Sequence, residues 1–118
     1  MNLQRGDVVL GPYPFASGIG AKRRPLLVIQ ANRDNQRMTS TIVAQISTTL
    51  HRANEPTHYL ISVASPEGRL AGLLHDSVVS CNNLATITGD RIEKVIGHLS
   101  PATMAKINDC LKAALDLP

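Results

Sequence analysis

Short apolar runs, separated by proline, glycine and asparagine clusters, fill most of the chain, and the period changes only near the C-terminus. Asp7-Val8-Val9-Leu10 reads as a first short strand. Gly11-Pro12-Tyr13-Pro14 should stop it, because proline cannot donate to a β-ladder and restrains the residue before it. Residues 15–23 read as a loop: Gly18 and Gly20 permit positive φ, Ala16, Ser17 and Ala21 are small, and the length suits a mobile lid. Residues 25–31 form a nearly continuous apolar run, the pattern of a strand buried on both faces. Asn32-Arg33-Asp34-Asn35 is turn chemistry. Residues 41–47 make a further strand that ends in the hydroxyl cluster Ser47-Thr48-Thr49. After the break at Glu55-Pro56, residues 57–63 alternate as a half-exposed strand, and Pro66-Glu67-Gly68 turns. Residues 77–81 and 84–87 are extended, interrupted by Asn82-Asn83. Gly89-Asp90 turns, and residues 91–99 fit a short helical turn followed by a strand at Val95-Ile96-Gly97.

The C-terminus has the helical period. Ser100 is placed to cap and Pro101 to occupy the first helical position. Met104, Ile107, Leu111, Ala114 and Leu115 form one apolar stripe, with Lys106, Asn108, Asp109 and Lys112 on other faces. Several short strands followed by one terminal helix predict a mainly β fold, a small barrel or strongly curved sheet closed by that helix.

The length, 118 residues, and the 43% hydrophobic content fit one globular domain over 1–118 with a core of its own. No apolar run reaches membrane-spanning length and the N-terminus lacks a signal-peptide core, so a cytoplasmic protein without a membrane partner is expected. Cys81 and Cys110 have no C-x-x-C spacing and are expected as reduced, buried thiols, although sequence leaves open whether they meet in space. The net charge is +3. Its distribution is uneven: residues 1–54 carry seven cations against two anions, and the remainder five against seven. A basic half points to a polyanion-binding face. With one Phe and two Tyr, a broad base-stacking platform is not expected.

The four histidines are scattered without an H-x-x-x-H or Cys/His cluster, so no metal site is expected. A G-x-S-x-G elbow and a nucleotide-binding glycine fingerprint are both missing. The informative junction is Lys22-Arg23-Arg24-Pro25, three cations at the mouth of an apolar run. If the strand that starts at Pro25 and the strand that ends at Ser47 are antiparallel neighbours, their ends share one edge of the sheet. Arg24 and a hydroxyl would then meet beneath the preceding loop. A guanidinium stays protonated and cannot act as a base, but it binds phosphate bidentately and stabilises charge developing on a phosphoryl oxygen.

These residues, in this order, resemble the MazF/PemK family of toxins from bacterial type II toxin–antitoxin pairs. The similarity is carried by Arg5-Gly6-Asp7-Val8-Val9, Arg24-Pro25-Leu26-Leu27-Val28-Ile29-Gln30 and Ile42-Val43-Ala44-Gln45-Ile46-Ser47, then by Pro56-Thr57-His58, Asp76-Ser77-Val78-Val79, Thr86-Ile87 and Gly97-His98-Leu99-Ser100. It runs over nearly the whole length. The resemblance implies a small SH3-like barrel of the CcdB/PemK type with a C-terminal helix, assembled as a homodimer. It implies a sequence-specific endoribonuclease for single-stranded RNA that uses no metal or other cofactor. In such enzymes the 2′-hydroxyl attacks the adjacent phosphate and leaves a 2′,3′-cyclic phosphate and a 5′-hydroxyl. It also implies a cognate antitoxin that covers the RNA groove.

On this resemblance the family's catalytic arginine falls on Arg24, and its partner threonine on Ser47, with Thr48 as the fallback hydroxyl. Lys22 and Arg23 are expected to steer or hold the RNA backbone, and Thr48, Arg69, His75, Asp76 and Asn82 join them as candidate RNA contacts. Some relatives place catalysis on an Arg-x-Asp triplet of a later strand with a loop histidine. The matching strand positions here are Ser80 and Asn82, and residues 15–23 contain no histidine, so that version is not available and the general acid and base stay open. His75 and Asp76, just before that strand, are candidates to approach the site, while His58 reads as structural or as part of a polar surface. RNA specificity is expected from the loops over 15–23, 51–56 and 65–74. Two alternatives share the fold: a non-catalytic toxin that binds a protein such as gyrase through its C-terminal helix, and a degenerate relative that only binds RNA or antitoxin. An Arg24 buried near a hydroxyl in a groove favours catalysis over the first of these.

Overall fold

In the computed structural model, which describes residues 1–15 and 17–118, the alternating runs build a six-stranded antiparallel sheet. The elements are β1 (Asp7–Pro14), β2 (Ala21–Val28), α1 (Asn32–Arg37), β3 (Ser40–Ser47), β4 (His58–Ile61), α2 (Pro66–Ala71), β5 (Ser77–Thr88), a 3-10 turn (Gly89–Arg91), β6 (Lys94–His98) and α3 (Pro101–Leu115). The strand order is β4-β5-β3-β2-β1-β6. Side chains alternate between faces along each strand, so neighbouring apolar residues serve two different cores. Leu27, Ala44, Ile46 and Val79 pack with Met104 and Ile107 beneath α3. Leu26, Val28 and Val43 pack with Leu3, Val9 and Ile87 on the opposite face. The expected mainly β fold with a closing C-terminal helix is what forms.

The cap of α3 is as read: the Ser100 hydroxyl accepts the Thr103 N–H at 3.2 Å, and Pro101 follows it. Met104 and Ile107 are buried, as are Thr103 and Cys110, but Leu115 at the end of the stripe is exposed. The helical turn before β6 lies at Gly89–Arg91, earlier than read, and β6 covers the expected strand at Val95-Ile96-Gly97.

Five other boundaries differ from the sequence reading, four of them for a physical reason that the contacts supply. First, β1 runs through Pro12 and Pro14, and β2 begins at Ala21, so Lys22 and Arg23 lie in a strand opposite Tyr13 and Pro12. Phe15 N–H donates to Gly20 O, which turns odd-numbered donors of β1 toward β2. The missing N–H groups of Pro12 and Pro14 therefore point to the other side, where β6 has already ended opposite Leu10. Ala16, part of the expected loop, lies outside the described residues. Second, β5 is one strand; Asn82-Asn83 does not break it but belongs to a bulge. Ala44 pairs with Leu84 and the next residue, Gln45, pairs with Ser80, so Cys81, Asn82 and Asn83 are extra on β5. Third, residues 32–37 are a helix rather than a turn, pinned by buried Asn35. Its amide donates to Gln30 O at 3.0 Å, and its side-chain oxygen accepts from Gln30 and Thr41. Fourth, Pro66-Glu67-Gly68 opens α2, capped by Ser65 and ended by Gly72 at φ +72. A β-carbon on Gly72 would collide with the Ile96 carbonyl, and one on Gly97 with the backbone of Leu70 and Ala71. These two glycines let α2 lie directly against β6. The strand after Glu55-Pro56 is also shorter than read, covering only His58–Ile61.

Candidate RNA groove

The site begins with the register of β2 and β3. They are antiparallel neighbours, with Leu26 opposite Gln45 as the last pair toward the Arg24 end. The ladder stops there for a local reason. Ile29 N–H donates to Ile42 O, so odd-numbered donors of β2 face β3, and at position 25 that donor is missing because the residue is proline. Continued past Pro25, the same register sets Arg24 opposite Ser47 on one face of the sheet. The two strand ends thus open a gap flanked by a guanidinium and a hydroxyl, on the shared edge that the sequence predicts. No hydrogen bond joins Arg24 to Ser47 among the described residues.

Arg24 is half-buried, and its Nε is a buried polar atom without a hydrogen-bond partner among the described residues. Burial raises the Tyr13 phenol above its ordinary pKa, and the Arg24 guanidinium pulls in the other direction. Arg24 stands where two depressions meet. One, of about 300 Å³, is lined by Tyr13, Pro14, Phe15, Gln45 and Asn83. The other, of about 410 Å³, is lined by Arg23, Pro25, Thr48, Leu73, Leu74, His75, Ser77 and Lys94 among others. Gln45 and Asn83 also border a third depression of about 150 Å³, which holds Ser47, Thr49, His51, Arg52, His58 and Ser80. The Ser47 hydroxyl accepts the Thr49 N–H at 3.1 Å, which leaves its own proton free to donate outward.

The other sequence candidates scatter around this groove. Lys22 is exposed on β2 with no ion-pair partner among the described residues, whereas Arg23, also exposed, pairs with Glu93. Thr48 and His75 share the larger cleft with Arg24. Asp76 is turned to other work: its carboxylate accepts the Val63 N–H at 2.8 Å. Arg69 donates to Ala64 O at 2.7 Å on the exposed side of α2. Asn82 is exposed in the β5 bulge and accepts from the Asn83 amide. It is Asn83, its neighbour, that lines the groove. Sequence reasoning passed over Gln45, Asn83 and Tyr13, and read His58 as structural or as part of a polar surface. Gln45 carried a usable signal, since a polar residue in phase with Ser47 inside an apolar strand marks the face that meets solvent or ligand. Among the described residues no group of three or more His, Cys, Asp or Glu side chains is arranged to hold a metal ion.

The description "PemK-like, MazF-like toxin of type II toxin-antitoxin system" matches residues 4–115. The chain is 31% identical to the endoribonuclease EndoA of Bacillus subtilis over 99% of its own length and 97% of that protein. It is 33% identical to the endoribonuclease MazF4 of Mycobacterium tuberculosis, over 97% and 93%. A solved mycobacterial endoribonuclease in complex with its cognate antitoxin superposes with a TM-score of 0.74 at 29% identity, covering 98% of this chain and 97% of that one.

Proposed function

The chain belongs to the PemK/MazF-like toxins of type II toxin–antitoxin systems, and on that premise we propose that it is an endoribonuclease that cuts single-stranded RNA by internal attack of a 2′-hydroxyl. The observation that carries this reading is Arg24: a half-buried cation with an orphaned Nε, at the junction of two depressions and in register with Ser47. A buried donor left unsatisfied costs about 1–3 kcal/mol. A phosphate oxygen is the partner that would satisfy it.

In the reaction, O2′ bonds to phosphorus as the bond to O5′ breaks, and the products are a 2′,3′-cyclic phosphate and a 5′-hydroxyl. Negative charge grows on the non-bridging oxygens, and Arg24 stabilises it in a partly dehydrated groove. Ser47, with its proton free, orients the phosphate from the facing strand end. Lys22 and the basic half of the chain draw the RNA backbone in, while Gln45 and Asn83 are placed to meet base or sugar edges. None of these roles calls for a bound metal. The chain acts as a homodimer neutralised by a cognate antitoxin that occupies the same groove. The protein-binding alternative would leave Arg24 in open solvent, and its burial argues against that.

The reading is tested with purified, antitoxin-free protein and a mixed-sequence RNA in excess chelator. Discrete cuts ending in cyclic phosphate, reduced at least 10²-fold by Arg24→Ala, are expected. Intact RNA from a folded wild-type protein contradicts the reading.

A further inference from the structure

Attack by a 2′-hydroxyl requires one proton to leave O2′ and another to reach O5′. Arg24 remains protonated and Ser47 is a hydroxyl, so neither takes up that proton at neutral pH. His75 lines a depression that Ser47 does not line, and Asp76 is engaged with the Val63 N–H. The strand registers bring another group to the face. His58 pairs with Ser80, Ser80 with Gln45, and Gln45 with Leu26, a single cross-strand row from β4 to β2. Opposed residues project to the same face, so His58 shares its face with Arg24 and Ser47.

His58 is 6% exposed and lines the same depression as Ser47. Its Nδ1 lies 2.7 Å from the Thr57 hydroxyl, a contact that fixes the ring. Its Nε2 has no hydrogen-bond partner among the described residues, yet is not among the buried atoms lacking one, so it is open to the depression. An imidazole anchored at one nitrogen and free at the other is the form that proton transfer uses.

We propose that His58 is a proton-transferring residue of the RNA groove, which rests on the ribonuclease reading above. Nε2 takes the proton from O2′ as O2′ bonds to phosphorus, and O5′ leaves with a proton from groove water. The groups that face His58 are His51 and Arg52 from the β3–β4 loop, with Glu55 paired to Arg52, and uncharged Ser80 on β5. Cys81 follows Ser80 on β5, and its N–H donates to the Thr57 carbonyl at 3.0 Å. The Cys110 thiol of α3, next to Asp109, donates to the His58 carbonyl at 3.6 Å.

The experiment measures cleavage of a short RNA from pH 5 to 9 by the wild type, His58→Gln and His51→Gln, with thermal unfolding of each. His58→Gln is expected to lower kcat by about 10²–10⁴ with KM within a few-fold, and to erase one limb of the pH profile between about pH 5 and 8. His51→Gln is expected to keep both limbs. A His58→Gln enzyme with wild-type kcat and profile, or loss of the limb in His51→Gln instead, overturns the proposal. Should His58→Gln fail to fold, NMR of the wild-type histidines during titration with a DNA oligonucleotide, which lacks the attacking hydroxyl, decides. His58 ring shifts are expected, and a ring untouched at saturation overturns the proposal. A folded wild type that cuts no RNA would instead remove the ribonuclease reading beneath it, while DNA binding at His58 can still be read.

Discussion

Arg24 is costly to the fold, and the proposed function gives that cost a purpose. Its Nε is buried without a partner among the described residues, so a flexible apolar replacement should relieve the protein. Arg24→Met is expected to unfold at a temperature equal to or above that of the wild type while losing RNA cleavage. A variant that is inactive and also strongly destabilised would make the guanidinium a structural element. The same scale explains the cysteines. Burial first, then the neighbouring Cys110 thiol, pushes Cys81 up to about 12. The expectation of reduced, buried thiols is met, and both cysteines belong to the one core beneath α3. Cys81 should therefore resist iodoacetamide at pH 8 in the folded protein, as counted by mass spectrometry. Because its folded pKa is raised, the thiol favours the fold below about pH 9, and that contribution is lost as pH rises from 9 toward 12.

At the scale of elements, one proline and one bulge shape the groove. Pro25 removes the donor that would have reached Ile46 and carried the β2–β3 ladder on toward Arg24 and Ser47, and the bulge lets β5 change register and carry Asn83 over Gln45. The Arg24–Ser47 edge was legible because antiparallel order follows from short connections, and the α3 cap because Ser100-Pro101 is a local signal. What depends on long-range partners was not. Asn35 reads as a turn residue until Gln30 and Thr41 enclose its amide. Asn82-Asn83 reads as a break until β3 continues past it. His58 reads as structural until its row across β5 and β3 is known. Two substitutions test this level. Ser100→Ala should cost about 1 kcal/mol in denaturant unfolding through the lost cap on Thr103 N–H. Gly97→Val should cost more, because its side chain would enter the backbone of Leu70 and Ala71 and part α2 from β6.

For the whole molecule, the charge split gains a direction. The basic half supplies β1, β2 and β3, the strands that carry Arg24 and Ser47, although Arg23 is neutralised locally by Glu93. Lys22 is therefore the stronger candidate for a phosphate contact. In RNA binding, Lys22→Ala should reduce the slope of log affinity against log salt by about 0.7, and Arg23→Ala by less. Equal effects from both would return the stretch to a diffuse basic patch. The central claim is that this groove cuts RNA through Arg24, and the product ends report on it most directly. Wild-type and Arg24→Ala proteins of matched fold are incubated with one RNA in chelator, and the fragment termini are identified by mass spectrometry. The wild type is expected to give 2′,3′-cyclic phosphate and 5′-hydroxyl ends, and Arg24→Ala almost none. Ends bearing 5′-phosphate, or equal cleavage by the two proteins, would contradict that claim.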